Sequence, residues 1–348
     1  MTTPSQPATP ARRLAVAALI VVLLLVGCAV IIWIYILPPP PTPPRQTASQ
    51  SSNSPANTLV MNLNTSAQSP ILLVTDGKTL TAGGIAGPQI VVQSWDCSTF
   101  KQLHSWRLPS SFANLQAISP DGTLIAVANV HGAIDIVRLS TSKTIQTLGS
   151  AQPHGAFSWD DQRYFEVSPN GGGGWVIQSG SRPNSFGTNA HMNAMAASPT
   201  GNSAVYGGQN GQTGVLLEER PNIAPFFNTG FIPPVSAVAY SLDGTKVICG
   251  CARGVCVVFN DASMKSIHRL RIRPIPAASV SAVALSYYGQ SAAVAVGNTI
   301  YLFDVASGNL TARLVGHREP ITGLCFIPIS HRLASTSEDG TIRIWQLP

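Results

Sequence analysis

The chain has 348 residues, of which 45% are hydrophobic and 10% are charged, and its formal net charge is +6. The large apolar share excludes an intrinsically disordered chain, which would hold fewer apolar and more charged residues. The basic excess is too small for a nucleic-acid-binding protein, so we expect no nucleic-acid partner.

The first element along the chain is an uncharged apolar run of 24 residues, 14–37. As a helix it would extend roughly 36 Å, more than the hydrocarbon thickness of a bilayer, about 30 Å. We therefore predict a transmembrane helix at 14–37, with the lipid bilayer as a partner. Because Arg12 and Arg13 flank its N-terminal end, the positive-inside rule puts residues 1–13 in the cytoplasm and the rest of the chain outside the cell membrane.

Two alternatives remain open for this segment. A cleaved secretory signal also places basic residues before an apolar core. Leu25-Val26-Gly27-Cys28 resembles a bacterial lipobox, which would make the chain a lipoprotein anchored at Cys28. The residues after Cys28 stay strongly apolar, which favours the uncleaved helix.

Residues 38–57 are rich in proline and serine. The proline-rich part predicts an extended polyproline spacer, and the Ser/Asn/Gln part predicts a flexible one. We interpret this segment as a linker that holds the following domain away from the membrane surface.

From residue 58 onward the chain contains internal repeats. One four-stranded unit cannot bury both of its faces, so such units must stack around an axis. The 291 residues from Thr58 have room for seven units of about forty residues and for no second domain. A tight turn marks each unit, at spacings of 39 to 45 residues, and these turns are Asp76-Gly77, Asp121-Gly122, Asp160-Asp161, Thr200-Gly201, Asp243-Gly244, Tyr288-Gly289 and Ile329-Ser330.

The last repeat supplies only three strands, over about residues 321–327, 332–337 and 341–346. Its fourth strand must come from elsewhere, and the apolar run Leu59–Leu63 before the first repeat is the natural donor. That pairing would close the ring without an open edge between its first and last units. The sequence therefore predicts an all-β, seven-bladed β-propeller over residues 58–348.

The last repeat also carries a distinctive set of side chains. It combines Gly316-His317, the strand 332–337, Asp339 and Trp345, and in this it resembles the repeats of the WD-repeat family. Weaker copies precede it, with Phe259 and Phe303 in the tryptophan position of the fifth and sixth repeats. The resemblance implies a stabilising hydrogen-bonded set, made of His317, Ser337, Asp339 and Trp345.

The resemblance implies a rigid, non-catalytic platform whose loops, at the narrow end of the ring and around its channel, contact other proteins. We predict a membrane-tethered interaction scaffold of a bacterial cell, which binds a protein or peptide. The alternative is an extracytoplasmic small-ligand sensor or a propeller enzyme that uses the central channel. No residue pattern indicates a catalytic, cofactor-binding or metal-binding site. Aromatic, histidine and arginine side chains in these loops are the candidate contacts, and they are Phe112, His131, His191, Phe231, Arg253 and Arg318.

Cysteines form a second candidate feature. A two-residue turn at Arg253-Gly254 would place Cys251 and Cys256 directly across a hairpin, where a disulfide could form in an oxidising compartment. Small buried thiols are the alternative. Zinc is not expected, because this hairpin lacks a fourth ligand and the usual spacing.

Two further patterns have open interpretations. Arg269, Arg271 and Arg273 alternate along a predicted outer strand. They could form a patch that binds a small anion or a lipid headgroup, or they could be charges that protect an edge strand from aggregation. The run Gly171–Gly174 precedes an apolar strand, and we expect a pliable turn there.

Overall fold

The computed structural model describes residues 58–62, 72–109, 111–150, 154–168, 171–187, 191–201, 203–209, 211, 213–217, 226–227, 234–263, 265–273, 278–328 and 330–347. The chain separates into two compact units, Met1–Ser51 and Ser52–Pro348, and every described residue belongs to the second. The predicted cytoplasmic segment, transmembrane helix and linker, residues 1–57, lie outside the described residues. None of the helical segments within the described ranges has the length and apolar character that a membrane crossing needs.

Within these ranges the chain forms seven four-stranded antiparallel sheets, which are the blades of a β-propeller. This confirms the predicted all-β, seven-bladed fold. In chain order, the first thirteen strands are β1 (Thr58–Asn62), β2 (Leu72–Thr75), β3 (Thr79–Ala86), β4 (Gln89–Asp96), β5 (Gln102–Leu108), β6 (Phe112–Ile118), β7 (Leu124–Asn129), β8 (Ala133–Arg138), β9 (Lys143–Ser150), β10 (His154–Phe157), β11 (Arg163–Ser168), β12 (Gly171–Val176) and β13 (Ser181–Gly187).

A single 3-10 turn, Ala252–Gly254, interrupts the strands in the described part of the second half. The remaining strands are β14 (Met192–Ala197), β15 (Ser203–Gly208), β16 (Thr213–Leu217), β17 (Phe226–Phe227), β18 (Val235–Tyr240), β19 (Lys246–Cys251), β20 (Val255–Asn260), β21 (Ser266–Arg271), β22 (Val280–Leu285), β23 (Ser291–Val296), β24 (Thr299–Asp304), β25 (Leu310–Val315), β26 (Ile321–Ile327), β27 (Arg332–Ser337) and β28 (Thr341–Gln346).

The strands of each blade are lettered A to D from the inside outwards. Blades 1 to 6 take four consecutive strands each, from β2–β5 to β22–β25, and blade 7 takes β26, β27, β28 and β1. Because neighbouring strands are antiparallel, the AB and CD turns lie on one face of the ring, the AB–CD face. The BC turns and the connections from strand D to the next strand A lie on the other, the BC–DA face.

The ring is closed by its N-terminal strand. β1 is the D strand of blade 7 and pairs with β28 from Thr58 opposite Trp345 to Asn62 opposite Thr341. The sequence predicted this closure with a donor strand over residues 59–63, and the structure has the strand over Thr58–Asn62. Both ends of the described chain therefore meet in one sheet, and blade 7 has no unpaired C strand.

The recurring tight turns all connect strands A and B. In blade 2, Ser119 Oγ donates to Asp121 Oδ1 at 2.6 Å and accepts from the Leu124 amide at 2.9 Å. Gly122 has a left-handed φ of 70°, and a Cβ there would collide with Thr81 of blade 1. The turn thus shapes its own blade and fits against the preceding one. The same Ser–Asp hydrogen bond recurs at Ser158–Asp160 and Ser241–Asp243.

The hydrophobic core lies between the blades. Each apolar cluster combines buried residues from two neighbouring blades, for example Ile125 with Ile90, and Val294 with Ile248. Strands alternate their side chains between two faces, so a blade buries one set against each neighbour. The first and seventh blades share such a cluster too, which contains Leu80 and Ile342.

The run Gly171–Gly174 is not the turn that we predicted. It forms most of β12, a C strand that pairs with β11 on one side and β13 on the other. Glycine fits there because the buried Phe165 ring lies against Gly174, 3.1 Å from where a Cβ would be. Gly174 therefore makes room for the Phe165 ring of the neighbouring strand.

Candidate interaction surface

Blade 7 contains a continuous chain of polar contacts between its strands. Trp345 Nε1 donates to Ser335 Oγ at 2.8 Å, and Ser335 Oγ lies 2.8 Å from His317 Nε2. His317 Nδ1 lies 2.9 Å from Asp339 Oδ2. Every link is satisfied if His317 is neutral with its proton on Nδ1, since Ser335 then donates to Nε2 and His317 donates to Asp339. The chain ties the loop before strand A to strands B and C.

One member of the predicted set is wrong: Ser335, not Ser337, joins histidine to tryptophan. Ser337 Oγ instead donates to the Glu319 carbonyl at 2.8 Å and accepts from the Asp339 amide at 3.1 Å. The two serines are both on β27, and Ser337 lies at its BC–DA end, too far along the strand to reach the indole.

The electrostatics of blade 7 agree with a neutral histidine. Burial lowers the pKa of His317, although the Asp339 carboxylate opposes that shift. Burial alone would raise the pKa of Asp339, but hydrogen bonds from Thr341, the Arg318 amide and His317 lower it to about 2. Around neutral pH the pair is therefore an imidazole hydrogen-bonded to a carboxylate.

Two tryptophans that we did not assign occupy the same strand position as Trp345. In blade 7, Leu333 lies opposite Trp345. At the same strand position, Leu80 lies opposite Trp95 in blade 1. Tyr164 lies opposite Trp175 in blade 3. The sequence carried a signal for the first, because Ser94-Trp95-Asp96 contains the Trp-Asp pair itself. The signal for Trp175 was hidden by the expected turn at the glycines before it.

The candidate partner-binding residues that are described lie on the BC–DA face. His131 and Arg253 lie in the BC turns of blades 2 and 5, and His191 and Arg318 lie just before the A strands of blades 4 and 7. All four are exposed. They belong to four different blades, so the fold brings them to one face and spreads them around the ring.

The two phenylalanines among the candidates are not exposed turn residues of this kind in the described structure. Phe112 begins the A strand of blade 2 and is half-buried against the apolar cluster between blades 1 and 2. Its ring therefore stabilises the core as well as bordering the face. Phe231 lies outside the described residues.

The A strands surround a central cavity of about 320 Å³. All seven blades contribute to its lining, which includes Leu72, Met195 and Cys325, and Trp159 and Leu242 follow the A strands of their blades. The described lining contains no Asp, Glu, His, Lys or Arg side chain. The cavity thus offers apolar contact and uncharged polar groups.

Of the two alternatives for Cys251 and Cys256, the structure has the buried free thiols and not the disulfide. Residues 252–254 form the turn between β19 and β20, so Cys256 lies opposite Gly250 rather than opposite Cys251. The two thiols then point to opposite faces of the sheet: Cys251 packs in the cluster between blades 4 and 5, and Cys256 packs between blades 5 and 6. Both are free and buried, and burial raises the pKa of the Cys251 thiol to about 12.

Sequence comparison places one repeat of the chain in a known family. Residues 308–346 match the family model described as "WD domain, G-beta repeat". SIR4-interacting protein SIF2 of Saccharomyces cerevisiae is 27% identical over 176 residues, which are 45% of this chain and 31% of that protein. Uncharacterized WD repeat-containing protein sll1491 of Synechocystis is 27% identical over 161 residues, 46% of this chain and 42% of that protein. The chain thus spans less than half the length of these two relatives.

Structural comparison supports the same fold. The crystal structure of the Cps50 (Swd1) β-propeller domain of Myceliophteria thermophila superimposes with a TM-score of 0.67. The superposition covers 83% of this chain and 100% of that domain at 14% sequence identity, so it shows a shared fold and no more. The chain therefore carries, in the seventh blade of a β-propeller, one repeat that matches the WD-repeat family.

Proposed function

We propose that the chain is a membrane-tethered, non-catalytic platform that binds a protein or peptide through the BC–DA face of its propeller. The observation that carries this proposal is the placement of His131, His191, Arg253 and Arg318, exposed in turns of one face. Arginine is enriched at binding hot spots, and the backbone of a closed, rigid ring loses little conformational freedom on binding, which favours association.

The relatives give the proposal its partner class. One is named for its interaction with SIR4, and another, of Arabidopsis thaliana, is named "Transcriptional corepressor LEUNIG_HOMOLOG" and is 27% identical over 120 residues. We extend to this chain only the general role of binding other proteins. The bacterial origin that we expect from the N-terminal sequence stays a prediction.

The lining of the central cavity also supports binding over catalysis. General acid–base and metal-assisted chemistry use Asp, Glu, His or Cys side chains that converge on the substrate. The described lining contributes Cys325 and no Asp, Glu or His, and burial raises the pKa of the Cys325 thiol far above its usual range. A raised pKa keeps this thiol protonated and unreactive.

The cavity itself favours a second candidate function, the binding of a small apolar ligand. Its volume of about 320 Å³ is at the lower end of the range of ligand pockets. Trp159 lines the cavity and would report binding through its fluorescence. Quenching by an apolar ligand that disappears in Trp159→Phe would support this candidate, and unchanged fluorescence would count against it.

The membrane tether rests on residues 14–37 and on Arg12 and Arg13 before them. We propose a single-pass anchor with its N-terminus in the cytoplasm and the propeller outside, or, as the alternative, lipidation at Cys28. Fractionation of cells before and after alkaline extraction tests the tether. Replacing Cys28 with serine separates the two anchors by the mass of the chain, because only the lipoprotein would lose its lipid and keep residues 1–27, whereas the mass of the single-pass chain would change by the substitution alone. A chain found wholly in the soluble fraction would contradict both.

Proximity labelling in intact cells tests the role of the face. We compare the native chain with a variant carrying His131→Ala, His191→Ala and Arg318→Ala. The matched control carries Lys101→Ala, Lys143→Ala and Lys265→Ala, three exposed side chains at the AB–CD face. We expect a specific labelled neighbour that the first variant loses and the control keeps. Labelling of abundant bystanders alone, or equal loss in both variants, would overturn the proposal.

A further inference from the structure

We propose that the outer edge of blade 5 binds an acidic segment of a partner protein, which adds to the blade as a further β-strand. The inference rests on the proposed role as a protein-binding platform, and it extends the contact from Arg253 on the BC–DA face to the outer strand of blade 5. It also names the chemistry of the partner, a chain with carboxylates at alternate positions.

The arginine-rich strand β21 is the D strand of blade 5. It pairs with β20 alone, with Val257 opposite Arg269 and Val255 opposite Arg271. Its outer backbone groups therefore face away from the sheet, within the part of the chain that is described. Leu270 and Ile272 are buried towards blade 6, whereas Arg269, Arg271 and Arg273 are exposed on the opposite side.

The tertiary structure adds a fourth arginine to this row. Arg253 lies in the BC turn of blade 5, exposed, with a left-handed φ of 60°. The Ile272 amide donates to the carbonyl of Gly254 at 3.0 Å, which fixes that turn beside the end of β21. Arg253 is thereby held at the same corner of the blade as Arg271 and Arg273.

Among the described residues, no acidic side chain pairs with Arg253, Arg271 or Arg273 at this corner. The described acidic residues of blade 5, Asp243 and Asp261, lie in its AB and CD turns, at the opposite face. Several cations at one corner attract an anionic partner.

Protection of an edge strand does not account for this arrangement. A single charged residue on the strand discourages pairing with another chain, and a turn residue such as Arg253 does not contribute to that protection. The equivalent strand of blade 6 carries only Arg313, which stacks over the Tyr301 ring at 5.2 Å. Val315 takes the place there that Arg271 takes in blade 5.

An extended acidic peptide fits both features of the surface. Alternate residues of a strand lie about 6.6–6.8 Å apart, so carboxylates at every second position of an added strand would meet successive arginines. Guanidinium groups bind carboxylates through paired hydrogen bonds. Peptide backbone also matches the open N–H and C=O groups of the strand edge, which neither a lipid headgroup nor a nucleic acid does.

Peptide binding to the full chain tests the inference. The probe is a short fluorescein-labelled peptide of alternating Glu and Thr, and its control has the same composition with all Glu residues in one block. Fluorescence anisotropy should show tighter binding of the alternating peptide, weakened by salt. We expect Arg271→Gln with Arg273→Gln to weaken it by about ten-fold or more, and Arg253→Asn by about three-fold. Asparagine is chosen at 253 because it tolerates the left-handed backbone.

The matched control is Arg313→Gln, on the outer strand of blade 6, which should leave peptide binding unchanged. Unchanged thermal unfolding of every variant shows that folding is intact. Equal affinity for both peptides, or equal loss with Arg313→Gln, would overturn the inference. So would tighter, equally arginine-dependent binding of phosphatidylserine vesicles or of single-stranded RNA.

The two proposals fail separately. If the Arg271→Gln, Arg273→Gln variant keeps its specific neighbours in cells and the peptide does not bind, only the acidic-segment inference falls. If the native chain has no specific neighbour in cells while the peptide still binds as expected, the platform proposal falls.

Discussion

Glu166 in blade 3 takes the strand position that Ser335 takes in blade 7. Each lies two residues beyond the residue that faces the tryptophan of its blade, Trp175 in one case and Trp345 in the other. Ser335 accepts a hydrogen bond from its tryptophan, whereas Glu166 pairs with Arg182 at 3.1 Å, and Arg182 stacks over Trp175. Blade 7 therefore joins strands B and C through a neutral hydrogen bond, whereas blade 3 joins strands B and D through an ion pair.

The Glu166–Arg182 pair should stabilise blade 3. Glu166 is 2% exposed, and burial raises the pKa of its carboxyl while Trp175 and Arg182 oppose that rise. We expect Glu166→Gln to lower the free energy of unfolding by about 1–3 kcal/mol, because it leaves Arg182 without its anion. A double-mutant cycle with Arg182→Gln in urea should give a coupling energy of about 1–2 kcal/mol. Additive single effects would contradict the pair.

The two serines of β27 should differ in importance. Ser335→Ala leaves the buried Trp345 N–H and His317 Nε2 without partners, so we expect a loss of about 2–3 kcal/mol in the free energy of unfolding. Ser337→Ala, the matched control two residues away, removes contacts to backbone groups near the surface and should cost about 1 kcal/mol. Chemical denaturation monitored by tryptophan fluorescence measures both. A larger loss in Ser337→Ala would restore the original assignment.

Asp161 should make stability depend on pH. Burial, together with the neighbouring Asp121 carboxylate, raises its pKa to about 7. The folded chain then keeps this proton up to about pH 7, whereas the unfolded chain loses it near pH 4. Stability should therefore fall as pH rises from about 4 to about 7 and stay lower above that.

Asp161→Asn removes this titration and tolerates the left-handed φ of 55° at that position. We expect the variant to be more stable than the native chain by about 1–2 kcal/mol above pH 7, a figure reduced for solvent screening of a partly exposed group. The advantage should vanish at about pH 4 or below. Thermal unfolding across this range tests it, and a difference independent of pH would refute the titration of Asp161. Asp161→Gly should behave alike, since the equivalent positions are Gly122, Gly244 and Gly289.

The closing strand should be sensitive to proline at one of two neighbouring positions. Successive amides of an edge strand point alternately to the paired and to the open side, so of Leu59 and Val60 only one donates to β28. Leu59→Pro and Val60→Pro should therefore differ, the harmful one by about 1–3 kcal/mol. Guanidinium unfolding measures the difference. Two equally harmless variants would show that β1 does not close the ring.

Cys251 and Cys256 should remain thiols. Alkylation of the unfolded chain without reductant, followed by peptide mass spectrometry, should modify both cysteines. The same result is expected after mild oxidation of the folded chain, because the thiols are buried on opposite faces of the sheet. A peptide with Cys251 and Cys256 joined would disprove this register.

Local features of the sequence determined the number of blades and the way the ring closes. Ser-x-Asp-Gly turns such as Ser119–Gly122 and Ser241–Gly244 shape themselves by hydrogen bonds within a few residues, so they can be located without the fold. The spare apolar segment at residues 59–63 and the three-stranded last repeat are likewise visible in one dimension. Blade count and closure follow from such signals because turn chemistry and the alternation of a strand are short-range.

Only the tertiary structure decided the strand register. The register in turn determines which side chains are in contact. A shift of one residue moves a side chain to the opposite face of a sheet. The turn at 252–254 thus separated Cys251 from Cys256, and the pairing of β27 with β28 chose Ser335 over Ser337. Arg253 likewise lies near the arginines of β21 only because the turn at 252–254 is hydrogen-bonded to the end of that strand. The residues in contact are about twenty positions apart, so no local pattern predicts their proximity.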